Sequence, residues 1–339
     1  MVGGGEIAAR AIWPSRPDSG CEYGTPYGPR FRPNCTTRYK AVDGPWVVDR
    51  YNECGYRAAG SCKPTAGQLR VVVFGSSMAR GHGAPYESAF AGRDEKILGR
   101  RCAKPVDFQN MATDANGVAT VDHRVAEALA LRPDALILMI SSYDIQNIDT
   151  PTGAQSAKRA HAMSMKQLIM SSRLVTVGQH YLYQDPAAQI SVFLGTPSDD
   201  GHGYAVDPLP PRWEARVAKT GDIVGEVAAR AKAAGIPFIL AYAPRRAQML
   251  LDIPKYRRPN ADPLALDRRL ARIAAATGAM FVDTTPSFAA SKRYNSLFYV
   301  ADGHPTAEGH AVIARDIAAA LLTLPAFANC DRSPLPAAG

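Results

Sequence analysis

Between residues 70 and 285 the chain alternates short apolar runs with longer amphipathic stretches, and this alternation restricts the fold more than any other feature. The runs are RVVVFG (70–75), VDFQN (106–110), DALILMIS (134–141), IPFILAYAP (236–244) and AMFVDTT (279–285). Each has the length of a strand. RVVVFG reads as a strand buried on both faces, and DALILMIS, the most apolar run, as the central one. Helical patterns fill the intervals over 85–101, 118–132, 213–235 and 262–278, with one more around 156–172 and a last at 306–324. Strands alternating with helices predict a five-stranded parallel sheet covered on both faces. Right-handed crossovers then bring the strand C-terminal ends to one edge, where the ligands of such sheets bind.

The first 68 residues break this pattern. They are rich in Gly, Pro, Arg and Cys, and are expected to form an extended, disulfide-pinned arm on the main domain. The expected organisation is an arm over 1–68, an α/β domain over 69–325 with an insertion at 150–215, and a tail over 326–339. The six cysteines are even in number and lie in loop-like sequence. That suits a disulfide framework in an oxidising compartment. Taking sequence neighbours first pairs Cys21 with Cys35, Cys54 with Cys62 and Cys102 with Cys330; six reduced thiols are the alternative. No pair has the short spacing of a zinc site. No secretory segment opens the chain, so the expectation is of an exported protein trimmed of its leader. No stretch reaches the roughly 18 unbroken apolar residues that cross a bilayer.

The formal net charge of +8 favours acidic partners such as an anionic polysaccharide or a membrane surface, or else reflects a generally basic solvated face. There is no Lys/Arg run, phosphate loop or RNA-binding signature, which argues against nucleic acid as a partner.

Three polar clusters fall at the sheet edge just described. Gly75-Ser76-Ser77 follows the first strand, Ser141-Ser142-Tyr143-Asp144 the third, and Asp302-Gly303-His304 precedes the last helix. A serine becomes nucleophilic when a base takes its proton, and histidine is the usual base near neutral pH. A third group must orient that base and stabilise its charge. Ser77, His304 and Asp302 supply this set. Taken singly, Gly-Ser-Ser after a strand also reads as a turn and helix cap, and Asp302 as an N-cap.

In these stretches the chain resembles the SGNH/GDSL hydrolases, esterases and acyl esterases with a flavodoxin-like three-layer α/β/α fold. VVVFGSSMARGHG resembles the family's Gly-Asp-Ser motif, with Ser76 in the Asp place and Ser77 as nucleophile. ADGHPTAEGHAVIARDIAAAL resembles the closing Asp-x-His segment, and NECGYRA the lead-in found in some membrane-anchored bacterial members. The resemblance covers roughly 50–325. It implies an extracytoplasmic protein, periplasmic or anchored near a membrane in its full-length form, and it implies no metal and no organic cofactor. In the oxyanion hole it places the amides of Ser77 and Ala115. The family's Asn position is taken by Tyr143, with Asn147 or Gln146 as alternatives that reach back. Losing one such donor costs about 10²–10³ in rate.

Arg80 and His82 follow the Ser77 turn, and Arg245 and Arg246 follow the fourth strand. The arginines can hold an anionic group of the substrate, or they are ordinary loop arginines. Asp144 reads as structural, and His123 as a plain surface or core histidine. Tyr181, Tyr183, Phe193, Tyr204 and Trp213 in the insertion either line a groove or pack onto the sheet. The reading is a serine hydrolase acting on an O-acyl ester, such as an acylated carbohydrate, through an acyl-enzyme. The alternatives are an O-acyltransferase using the same intermediate and a non-catalytic binding relative.

Overall fold

The computed structural model describes residues 2–14, 20–41, 43–114, 118–149, 172–199 and 201–335. Five strands, β5 (Leu69–Gly75), β6 (Val106–Asn110), β7 (Ala135–Ile140), β8 (Phe238–Tyr242) and β9 (Met280–Asp283), make one sheet in the order β6-β5-β7-β8-β9. Every pairing is parallel. The five expected strands are therefore present: β6 matches its run, β5 is one residue longer, and the other three are shorter by two to four residues where flanking turns take over.

Alternation along the strands divides the core in two. Val72, Phe74, Leu136, Leu138 and Leu240 face one way, onto the helices Pro211–Ala233 and Ala265–Thr277. Val71, Val73, Ile137, Met139 and Ile239 face the other, onto Phe90–Arg101 and Ala307–Leu321. This is the three-layer α/β/α arrangement. Each residue of β5 and β7 is buried, which explains their unbroken apolar character.

The strand order matters for the site. Counting only this sheet it reads 2-1-3-4-5, so the chain leaves its first strand towards one edge and returns to its other side as the third. Ligands of doubly wound sheets bind at that switch point, beyond the strand C-termini. Here the ends are Gly75 and Ile140, with Gly75 in register with Met139.

The arm differs from expectation. It is not extended: it contains the helix Val2–Ile12 and two antiparallel hairpins, β1 (Glu22–Thr25) with β2 (Gly28–Phe31) and β3 (Thr36–Lys40) with β4 (Trp46–Arg50). Cys21–Cys35 and Cys54–Cys62 close it, and Cys102–Cys330 ties the end of the helix Phe90–Arg101 to the C-terminal segment, the pairing expected from sequence neighbours. Arg57 makes an isolated antiparallel bridge with Asn110 at the end of the edge strand β6.

Within the insertion, the described part is more regular than the sequence implied, with helices Arg173–Leu182 and Pro186–Leu194. The helix expected around 156–172 lies almost wholly outside the described residues. Tyr204 and Trp213 are fully buried with rings 5.5 Å apart, and Phe193 lies 5.8 Å from Tyr204, so these aromatics pack the insertion onto the domain. Tyr181 instead sits on the surface against Trp13. Among the described residues no helix is long and apolar enough to cross a membrane.

Candidate active site

The turn after β5 begins at Gly75, whose φ is +144°. A Cβ there would lie 2.3 Å from the Met139 carbonyl oxygen and 2.4 Å from Ala79 Cβ, so only glycine permits the bend. Ser76 precedes a one-turn helix, Ser77–Arg80, without a side-chain cap bond, and Gly81 closes it in the left-handed conformation. This turn is held from below. Asn110 at the end of β6 donates to the Ala79 carbonyl at 2.8 Å. Arg57 donates to the carbonyls of Arg80 and Ala84, each at 2.6 Å. The Gly83 amide donates to the Tyr39 hydroxyl, and the Tyr299 hydroxyl donates to the Gly83 carbonyl, both at 2.9 Å.

The loop before the last helix brings Asp302 and His304 to the same place. It is a tight return, with the Tyr299 amide bonded to the His304 carbonyl at 2.9 Å and Gly303 at φ +87°. Asp43, from the arm, accepts the amides of Ala301 at 2.7 Å and Asp302 at 3.2 Å. His304 Nδ1 lies 2.5 Å from Asp302 Oδ1, and His304 Nε2 lies 2.7 Å from Ser77 Oγ. A carboxylate can only accept, so Nδ1 carries the proton and Nε2 is the acceptor that faces Ser77.

Burial alone would push Asp302 up, but the His304 ring against it overrides burial and holds it well below the usual carboxylate range. For His304 burial favours the neutral ring, and Asp302 overrides it in the opposite sense, so its pKa is raised. Such a pair can accept a proton from Ser77 Oγ and stabilise the resulting imidazolium.

Ser77, Met78, His82, Asp114, Ser141, Tyr143, Arg245 and the loop 302–304 line a cleft of about 390 Å³. The three clusters noted in the sequence thus converge. A larger groove of about 830 Å³ lies against residues 250–256 and 289–296 and has no histidine in its wall, so size does not locate the chemistry here.

The remaining sites divide. Tyr143 is 45% exposed, and the Arg245 guanidinium lies 6.0 Å from its ring centre. Asn147 does not reach the cleft: its side-chain amide donates back to the Tyr143 carbonyl at 2.8 Å. Ala115 lies outside the described residues. Arg80 is corrected outright. It is wholly buried, paired with Asp49 and Asp114, and cannot hold a substrate group. Arg246 is also buried, turned to Gln189 and Asn295. Asp144 completes a capping box with Ser141 at the helix Ser142–Gln146.

Sequence reasoning missed the arm's contribution. Asp49 on β4 is wholly buried and lies 2.5 Å from both Arg57 and Arg80. A signal existed, since the alternation in WVVDR puts Asp49 on the inward face with Val47. His82, Asp302 and His304 gather ligand atoms within 4.8 Å of one another, the one metal-type cluster among the described residues. Arg80 and Ser77 donate to the two histidines, and Asp302 pairs with His304.

A family profile described as GDSL-like lipase/acylhydrolase matches residues 73–312. No curated protein matches the chain. Among solved structures the chain is similar to an acetyl xylan esterase, at 13% identity over 75% of this chain and 100% of that one, with a TM-score of 0.45. It is similar also to a GDSL-like lipase from Bacteroides thetaiotaomicron, at 18% identity over 77% and 91% of the two chains (TM-score 0.41). A third is the esterase EstA from a Pseudoalteromonas species, at 10% identity over 75% and 97% (TM-score 0.39).

Proposed function

The chain belongs to the GDSL-like lipase/acylhydrolase family, and from that premise we propose that it is a serine ester hydrolase in which Ser77, His304 and Asp302 do the chemistry. The observation that carries this reading is the unbroken run of hydrogen bonds from Ser77 Oγ through His304 to Asp302, in the wall of an open cleft. Ser77 Oγ attacks the ester carbonyl as its proton passes to His304 Nε2. The tetrahedral oxyanion is met by the amides of Ser77 and Ala115, with Tyr143 in the third position. His304 then protonates the departing alcohol, leaving an acyl group on Ser77 that water removes by the same steps in reverse.

The substrate we propose is an O-acyl ester with a short acyl group, such as an acylated carbohydrate. A cleft of about 390 Å³ is small for a long chain. Tyr143 offers an exposed aromatic face to a sugar ring, and Arg245 a cation to an anionic group beside it. Three disulfides support an oxidising, extracytoplasmic setting.

The test is hydrolysis of p-nitrophenyl acetate, butyrate and octanoate by the wild type and Ser77→Ala. Wild-type activity is expected to fall from acetate to octanoate, and Ser77→Ala to lose on the order of 10⁴-fold or more. Equal rates in the two proteins would remove Ser77 from the mechanism. The same assay with a sugar acceptor reads out transfer, since a new sugar ester in place of free acid identifies an acyltransferase.

A further inference from the structure

The guanidinium of Arg80 has acceptors for its five N–H donors. Nε and Nη2 reach the two oxygens of Asp114 at 2.9 Å each. Nη1 reaches Asp49 at 2.5 Å and the Tyr51 hydroxyl at 3.3 Å, and Nη2 also reaches His82 Nδ1 at 2.6 Å. Arginine donates and never accepts. His82 Nδ1 must therefore present a lone pair, which leaves the proton of the neutral ring on Nε2.

The His82 ring is set between two others, 4.9 Å from Tyr39 of the arm and 4.8 Å from His304. It is also part of the cleft wall. Nδ1 faces a side chain with no exposure. The opposite edge of the ring carries Nε2–H. We infer that His82 is a second histidine of the reaction, a hydrogen-bond donor whose Nε2–H meets the alcohol oxygen of the ester beside His304 Nε2. This rests on the Ser77–His304–Asp302 reading above.

Burial pushes His82 down to about 3, helped by the neighbouring His304 and Arg80 and opposed by Asp114 and Asp302. With His82 neutral, His304 becomes imidazolium with no second imidazolium at its side. No proton leaves His82. The proton of Ser77 Oγ passes to His304 Nε2, and from there to the alcohol oxygen as the bond from that oxygen to the acyl carbon breaks. His82 shares the negative charge that develops on this oxygen meanwhile. The benefit scales with that charge. It is large for an alkyl or sugar alkoxide and small for nitrophenolate, which delocalises the charge into its own ring.

Two measurements test the inference. The first compares kcat/KM of the wild type, His82→Phe and His82→Gln on p-nitrophenyl acetate and on ethyl acetate. His82→Phe is expected to lose roughly 10–100-fold on the alkyl ester and under about 3-fold on the nitrophenyl ester, with His82→Gln recovering part of the loss. Equal losses on both esters, or none, would overturn it, because the charge that His82 shares is large on an alkyl alkoxide and small on nitrophenolate. The second reads the ¹⁵N shifts of the His82 ring in the wild type. The neutral Nε2–H tautomer is expected from about pH 5 to about pH 8. Protonation near the ordinary value, or an Nδ1–H tautomer, would overturn the inference whatever the activity. Failure of the underlying reading shows separately, as Ser77→Ala retaining the wild-type rate.

Discussion

Ser77, His82, Asp302 and His304 form one wall of the cleft and Ser141, Tyr143 and Arg245 the other, and the two walls are held in different ways. Behind the first lie the ion pairs Arg57–Asp49–Arg80–Asp114, with Asp49, Arg57 and Arg80 at most 1% exposed. Asp43 ties the loop of Asp302 from the same arm. The second wall is a capped helical turn whose outward side chain, Tyr143, is 45% exposed, with Arg245 laid over it. Proton transfer tolerates little change in distance, whereas recognition of a variable alcohol or sugar tolerates more. The difference teaches that buried ion pairs brace the wall that holds the Ser77–His304–Asp302 hydrogen bonds, whereas on the other wall Tyr143 is exposed and Ser141 is buried.

The sharpest way to break the comparison is Asp302→Asn. The geometry survives but the carboxylate that sets the His304 tautomer is gone, and kcat is expected to fall about 10³–10⁴-fold. The same change moves the pH profile. The base must be neutral, so the wild-type rate climbs as pH rises through a His304 value lying above the ordinary 6.5, and the acid limb of Asp302→Asn shifts to lower pH. An unmoved limb would detach Asp302 from His304. Stability is linked in both directions. The raised His304 stabilises the fold below 6.5, and this is lost as pH rises through its folded value. The lowered Asp302 stabilises it above 3.8, and this is lost as pH falls towards its folded value.

Next in size is Asp49→Asn. It leaves the buried Arg57 and Arg80 without the carboxylate between them, and breaking such a buried set costs about 3–5 kcal/mol. The melting temperature should fall by roughly 4–7 °C, and esterase activity should fall with it as the Ser77 turn loosens. A melting temperature equal to wild type would show that the arm only rests on the domain.

The smallest expected effect belongs to the open wall. Arg245→Ala should raise KM about 5–10-fold for an acetylated anionic sugar and leave p-nitrophenyl acetate nearly unchanged, with melting unaltered. An equal loss on both esters would place Arg245 on the braced side of the comparison.

Much of this was legible beforehand where the signal is local. The five strands showed as apolar runs, and the three polar clusters as their C-terminal punctuation. Disulfide pairing followed from neighbouring cysteines. Arg80 misled because a cation three residues after a serine looks the same in sequence whether it faces a ligand or two carboxylates. Those carboxylates, Asp49 and Asp114, lie 31 and 34 residues away. His82 was noticed but had no role, since its tautomer depends on Arg80 and its place on the rings of Tyr39 and His304.

The sequence by itself determined the layered α/β scaffold and the sheet edge at which Ser77, Asp302 and His304 meet, because strand periodicity and crossover handedness act on local pattern. Only the tertiary structure decided that an arm folded into two hairpins braces one wall of the cleft. It also decided which arginines are buried and which histidine nitrogen is left to donate. Buried charges are satisfied by whatever partners long-range packing delivers, and no local pattern encodes that pairing.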